Sequence, residues 1–383
     1  MSDKPLITDT NIIISKPVPW AIYDEFNTIL IKKGEIIYSK RQLQILKRRK
    51  AYYLVTEQSP EHEESIEEIN FNAQNSLQRS FVNPFQHIDE LAQDLSVCFL
   101  AITRKQKRSI ELLTHCAQMV EELCIRDPDA AIGAIHLYRK HKNNISKPIY
   151  AAVLGNIIAT RLRYDPSHKL SVVKALLVCN IASAGYQDQL DKQSTPLTNE
   201  QFHKIRKHPE EGVVMLHNAG IDEKPVLQIV LQHHERSDGS GYPRKLQDDQ
   251  INIDAKLAAL VEYYTAVISN RTYRMAKQAK EALREVYHKA KGAEAQLHLT
   301  FIKELGVYPP GTYVKLANGE IALVTKRQPF SVAPMVKAVV DQQGKPYKEI
   351  HSRDCTLKDF HIAENYHFEK PLTHNFPELW DYH

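Results

Sequence analysis

The chain has no Cys-x-x-Cys pair, and its cysteines are odd in number: Cys98, Cys116, Cys124, Cys179 and Cys355. That fits reduced thiols in a cytoplasm better than a disulfide framework. It has no apolar run of about 18 residues, so no membrane span is expected. Met1-Ser2-Asp3-Lys4 lacks the basic-then-apolar layout of a secretion signal. Strong charge of one sign is also missing. Fifty Lys and Arg against 46 Asp and Glu leave +4, too little over 383 residues to argue for nucleic acid. What is present is ordinary for a globular protein: 43% hydrophobic, 25% charged, and long enough for two or three domains.

Residues 1–55 read as a small α/β unit. Ile12-Ile13-Ile14, Trp20 to Asp24 and Thr28 to Ile31 are short strand candidates, with Glu25-Phe26-Asn27 as a turn. A basic amphipathic helix follows near Ser39 to Arg49, with Leu43, Ile45 and Leu46 on its buried face. Residues 56–82 are acidic, aperiodic and interrupted by Pro60, and read as a linker. Residues 83–304 form a helical domain. Leu91, Leu95, Phe99 and Ile102 keep helical spacing, as do Ile110, Leu113, Met119 and Leu123, and core packing explains both stripes. Pro148 to Arg163 is apolar enough for a buried helix. Thr198-Asn199-Glu200-Gln201 is a capping box opening a helix that reaches His208-Pro209, where the proline should kink the chain and aim His208 away from the helix face. Gly220 closes that helix. Residues 305–383 form a β-rich appendage. Tyr313 to Leu316, Ile321 to Val324 and Met335 to Val340 are its strands, and Asn318-Gly319 is a hairpin turn. Residues 362–383 offer no usable pattern.

The most specific stretch is His233-His234-Glu235-Arg236-Ser237-Asp238-Gly239-Ser240-Gly241-Tyr242-Pro243. Two histidines and a carboxylate end an apolar helix. A stiff loop follows, in which Gly239 and Gly241 permit unusual backbone angles and Pro243 fixes the exit. Imidazole and carboxylate suit iron, manganese or zinc. The string resembles the signature of the HD-GYP family, which hydrolyses the bacterial messenger cyclic di-GMP. The resemblance runs along roughly residues 125–310 and implies a mainly helical fold: an HD-type bundle with the small α/β domain before it and the β-rich appendage after it.

In that family two or three metal ions, commonly iron or manganese, sit among ligands from separate helices. The resemblance carries the metal-ligand role to His208 of His208-Pro209-Glu210-Glu211-Gly212, to His233 and His234, and to Glu262, which stands at the last aspartate position. Asp238, Gly239, Gly241, Tyr242 and Pro243 match the Gly-Tyr-Pro loop. Arg271, Tyr273 and Arg274 match the basic motif that would hold the nucleotide. Four positions depart. Cys179 and Asn180 stand where the His-Asp pair belongs, Ser183 replaces the lysine of that string, and Lys147 aligns with an early-helix histidine. Gly185, Asp188 and Leu190 keep the register downstream. A neutral amide is a poor bridge between two cations, which repel without the aspartate. Cys179 serves either as a soft-metal ligand or as a small apolar residue.

The expectation is a cytoplasmic signalling protein with little or no hydrolysis. It would hold one iron or manganese ion or none, and would bind cyclic di-GMP or a partner protein through the Gly-Tyr-Pro loop. Two rivals stand beside it: an active phosphodiesterase with a reduced metal site, and an adaptor binding neither nucleotide nor metal.

Overall fold

The computed structural model describes residues 82–383 apart from 139, 191–192, 194, 270–276, 290–291, 329–332, 369–374 and 383; before residue 82 it describes 7, 18, 20–23, 29–31, 33, 43, 46–47 and 51–53. The chain divides into two compact units, Met1–Arg79 and Ser80–His383.

In the first unit β1 (Ile22–Tyr23) pairs antiparallel with β2 (Ile29–Ile31) on one side and β3 (Tyr52–Tyr53) on the other. Ile22, Ile31, Leu43, Leu46 and Ala51 form its core, with Trp20 packed against it. The expected strand at Ile12-Ile13-Ile14, Ile45 of the basic helix, and residues 56–81 of the expected linker lie outside the described residues.

The second unit is mainly helical and ends in a small antiparallel sheet. Three helices start alike. Asn83, Asp127 and Asp165 accept backbone N–H bonds as N-caps, and a proline takes the first helical position of α1 (Pro84–Thr103), α3 (Pro128–Leu137) and α5 (Pro166–Val178). Proline has no N–H to leave unsatisfied there, and the caps satisfy the remaining donors. Helix α2 (Ser109–Arg126) packs on α1, and Leu113, Met119 and Leu123 are buried. Ile110, expected on that face, is instead 40% exposed, although Ser109 and Leu112 in the same turn are buried. Helix α4 (Asn143–Arg161) is the central element, buried on all sides from Pro148 to Ala159. It contacts α1, α2, α5 and the later helices α9 (Ile253–Val267) and α11 (Ala295–Leu305). Gly155 makes the α4–α5 approach feasible, since a Cβ there would stand 2.1 Å from Leu176 Cδ1.

Between α5 and α9 lie a 3-10 turn (Ile181–Ser183), α6 (Ala184–Leu190), α7 (Asn199–Asn218) and α8 (Lys224–Gln232). Thr198 and Gln201 form the reciprocal capping box of α7, and Gly220 closes it at φ +83°. Helix α7 continues through Pro209, where a kink was expected, to Asn218. A further correction concerns hydropathy. Pro166–Gln187 is long and apolar enough to span a membrane by length and composition, yet over half of it is buried inside the bundle, as befits a core helix.

After α10 (Ala279–Lys289) and α11, the sheet has strand order β7-β6-β5-β4-β8, from β4 (Tyr313–Leu316), β5 (Ile321–Lys326), β6 (Met335–Val340), β7 (Pro346–Asp354) and β8 (Ile362–Asn365). The last helix, α12 (Phe376–Leu379), belongs to the tail in which no pattern was legible. Its neighbour Trp380 fills the space that Gly133 leaves, packs on Phe85 at 5.5 Å, and donates its indole N–H to Thr325 O at 2.9 Å. That side chain, with Arg327 paired to Asp129 at 2.5 Å, fastens the sheet to the bundle.

Candidate metal and ligand cavity

A cavity of about 1090 Å³ opens where α5, α7, α8 and α9 converge on the end of α4. His208 reaches it from α7. Pro209 has no N–H to give the carbonyl of Ile205, one turn back, and the His208 ring takes that place, with Nδ1 2.6 Å from Ile205 O. The helix continues because the side chain replaces the missing backbone bond. A carbonyl only accepts, so Nδ1 carries the hydrogen and Nε2 presents a bare lone pair. His233, at the C-terminus of α8, repeats the device with Nδ1 2.7 Å from Val230 O. The two Nε2 atoms therefore face each other at 3.2 Å with no hydrogen between them. Burial pushes both imidazoles down to about 4, and His233 adds to the shift on His208, so both are neutral near pH 7. Gly212 allows this approach, since a Cβ there would already touch Val230 of α8 at 3.3 Å.

His234 lies 4.1 Å from His233 by ring centroids and stacks on Tyr242 at 4.8 Å and 29°. Burial first, then His233 and His208, holds it well below the usual histidine range. Tyr242 is set by its loop. Gly239 has φ +74°, and a Cβ on Gly241 would come within 2.4 Å of Arg236 N. The Tyr242–Pro243 peptide is cis. Glu235, adjoining the histidines, turns its buried carboxylate into this loop and accepts from Arg244 N at 2.6 Å and Leu246 N at 3.0 Å. It braces the loop rather than facing the cavity's histidines.

The opposite wall is built at the end of α5. Cys179 is its buried C-cap, and Sγ donates to Glu262 Oε1 on α9 at 3.3 Å. Asn180 Nδ2 also donates to Glu262 Oε1. Burial, then the Glu262 charge, pushes the Cys179 thiol well up. Burial likewise raises the Glu262 carboxyl against the bonds from Cys179 and Asn180, which lower it. Glu262 Oε2 is shielded from solvent with no hydrogen-bond partner, 3.8 Å from His233 Nε2. Ser183 Oγ donates to Asn180 O at 3.1 Å within its own turn. Lys147 lines the cavity from α4, and its charge acts on Glu262.

Two groups bring possible ligand atoms within 4.8 Å of one another: His208, His233 and His234, and Cys179, His233 and Glu262. Three of the expected ligands thus form one group, and the fourth, Glu262, stands in a second group with His233 and Cys179. Arg271, Tyr273 and Arg274 lie outside the described residues. Sequence reasoning missed the cations Arg206, Arg236, Lys256 and Lys289 on the cavity wall. Lys256 pairs with Glu294 at 3.6 Å, and Lys289 Nζ sits 3.4 Å over the Tyr263 ring. The spacing Lys256, Leu260, Tyr263 on α9 marks one helix face and is the signal that would have found that side.

Comparisons with known proteins bear on the domain and the fold. The HD domain family matches residues 134–293. A cyclic di-GMP phosphodiesterase of Pseudomonas aeruginosa is 27% identical over 277 residues, covering 70% of this chain and 66% of that protein. A cyclic di-GMP phosphodiesterase of Thermotoga maritima is 35% identical over 111 residues, 28% of this chain and 29% of that protein. The chain thus spans less than two thirds of either relative. Among solved structures, an HDG"Y"P protein from Bdellovibrio bacteriovorus aligns with TM-score 0.50 at 15% identity, covering 79% of this chain and all of that one, which speaks for the fold.

Proposed function

We propose that this chain, which carries an HD domain of the HD-GYP type, binds a cyclic dinucleotide, cyclic di-GMP first, in the cavity and hydrolyses it poorly or not at all. The observation that carries this reading is the α5 wall. Where hydrolysis of a phosphodiester calls for bridging carboxylate charge, Asn180 offers an amide and Cys179 a protonated thiol, both bonded to Glu262. HD-domain chemistry is metal-dependent. When bound, metal supplies a hydroxide nucleophile and neutralises the phosphodiester. The residues fit such an ion: two neutral imidazoles aim bare Nε2 atoms at one point, and a buried carboxylate oxygen beside them lacks a partner. They fit one ion better than two, because only Glu262 among the described ligands supplies charge on the α9 side and Lys147 opposes a second cation.

The nucleotide reading draws on the cavity's size and on its cations, which suit a phosphate anion. Arg271 and Arg274 are proposed phosphate contacts, Tyr273 a neighbour, and the Tyr242 face a second contact surface for base or partner protein. A cytoplasmic setting is proposed with it, consistent with the free cysteines. Calorimetric titration of the full chain with cyclic di-GMP tests the reading. Saturable binding is expected, weakened in Arg271→Ala by about 1–3 kcal/mol, the scale of a hydrogen bond to a charged group. No heat of binding would leave an adaptor role. Steady turnover with iron or manganese, lost in His233→Ala, would make it an enzyme.

A further inference from the structure

We infer that the cavity is a mixed thiolate site for a single zinc ion, held by Cys179, His233 and Glu262 with the fourth tetrahedral position open. This rests on the reading of the cavity as an HD-type metal site and departs from the iron or manganese that the resemblance implies.

Three features point to this set of ligands. The first is the pair of Nε2 lone pairs at 3.2 Å. Neither ring can donate to the other, because each has committed its hydrogen to a helix carbonyl. The bare Nε2 of His233 is therefore open to an ion, while His208 is grouped with His233 and His234 rather than with Cys179 and Glu262. The second is Glu262 Oε2, buried, unpartnered and 3.8 Å from His233 Nε2. The third is Cys179 Sγ, 3.3 Å from the other oxygen of the same carboxylate and grouped with His233 within 4.8 Å.

Charge and softness then select the ion. Thiolate and carboxylate together cancel one dication, and the remaining ligand is neutral. Without a bridging carboxylate at Asn180, a second dication would meet the first and Lys147 uncompensated. Thiolate favours zinc over manganese or ferrous iron, and the affinity order runs the same way. The metal takes the place of the Cys179 thiol proton, which is released on binding. The competing account has Cys179 filling core space with its thiol capped by Glu262, and it makes no metal at all.

The test strips the full chain with chelator under anaerobic conditions and titrates it with cobalt(II), then zinc. We expect one equivalent of cobalt with an intense near-ultraviolet thiolate charge-transfer band, displaced by one equivalent of zinc. Cys179→Ser should lose the band and weaken zinc by more than the roughly 10–100-fold that follows loss of an outer-shell partner. Glu262→Gln should keep the band and bind more weakly. X-ray absorption at the zinc edge of the unmutated chain needs no variant, and should show one sulfur near about 2.3 Å with nitrogen and oxygen at about 2.0–2.1 Å. Cobalt binding without the band, a zinc shell without sulfur, two tightly held ions, or no metal bound would each overturn the site. No nucleotide enters these measurements, so the metal result stands or falls apart from cyclic di-GMP binding.

Discussion

On the α7–α8 wall of the cavity, His208 and His233 are held by carbonyls of their own helices, so the backbone fixes their tautomers before any ligand arrives. On the α5 wall, Cys179, Asn180 and Ser183 spend their polar atoms on each other and on Glu262. One wall leaves two Nε2 lone pairs open, and on the other the polar atoms are already bonded. The difference bears on the proposed separation of binding from turnover. Preorganised donors suffice to hold an ion, whereas activating water and stabilising a phosphorane-like transition state need charge from both sides.

The strongest way to break the contrast is to rebuild the second wall. The natural sequence should show no useful hydrolysis of cyclic di-GMP, since the lost terms amount to several kcal/mol and each 1.36 kcal/mol is about tenfold in rate. Asn180→Asp alone should not rescue it. Cys179→His, Asn180→Asp, Ser183→Lys and Lys147→His combined should gain turnover with iron or manganese. Multiple turnovers by the unmodified chain, lost in His233→Ala, would show that the α7–α8 wall works unaided.

The preorganised wall has its own signature in acid. His208 and His233 titrate at about 4 in the folded chain, below the unfolded value near 6.5. Between those values the unfolded chain binds more protons, so this stability is present above about 6.5 and lost as pH falls toward 4. The loss in metal-free protein should reach a few kcal/mol, at about 1.36 per pKa unit. His208→Gln with His233→Gln should flatten the limb in pH-dependent urea unfolding. An unchanged slope would mean that the rings are hydrated.

Much of this was legible because it is local. The capping box at Thr198, the apolar stripes and the Asn318-Gly319 hairpin depend on neighbours within one or two turns. Family motifs let His208, His233, His234 and Glu262 be named as ligand candidates, and only the fold shows that they fall into two groups sharing His233. What was not legible depends on partners far along the chain. How α7 continues through Pro209 was not legible, because propensity does not show a side chain replacing the missing bond. Trp380 carried no signal, because the space it fills is made by Gly133. In sequence Cys179 reads as either a soft-metal ligand or a small apolar residue, and only the fold sets its sulfur against Glu262.

The loop beneath His234 gives a middle-sized effect. Glu235 is buried and receives two backbone N–H bonds, and hydrogen bonds to a charged group contribute about 1.5–3 kcal/mol. Glu235→Gln should destabilise the chain by about that much and loosen Tyr242 from His234, read by thermal unfolding and tyrosine fluorescence. A neutral result would mean that the Gly-Tyr-Pro loop holds its shape without this brace.

The smallest expected effect sharpens the contrast most cleanly, because it asks whether the α5 wall meets a ligand at all. Ser183 stands where a lysine would meet phosphate, yet its hydroxyl closes the turn on Asn180 O at 3.1 Å. A neutral, partly exposed hydrogen bond of this kind contributes about 0.5–1.5 kcal/mol, and solvent access places Ser183 at the low end. Ser183→Ala should therefore shift the urea midpoint slightly and leave cyclic di-GMP affinity where it was. Arg271→Ala, on the other hand, should lower that affinity. If Ser183→Ala weakened the nucleotide tenfold, about 1.4 kcal/mol, the hydroxyl would be a ligand contact and the α5 wall would belong to the binding surface. The opposition between the two walls would then have to be redrawn as a division of labour between metal and phosphate.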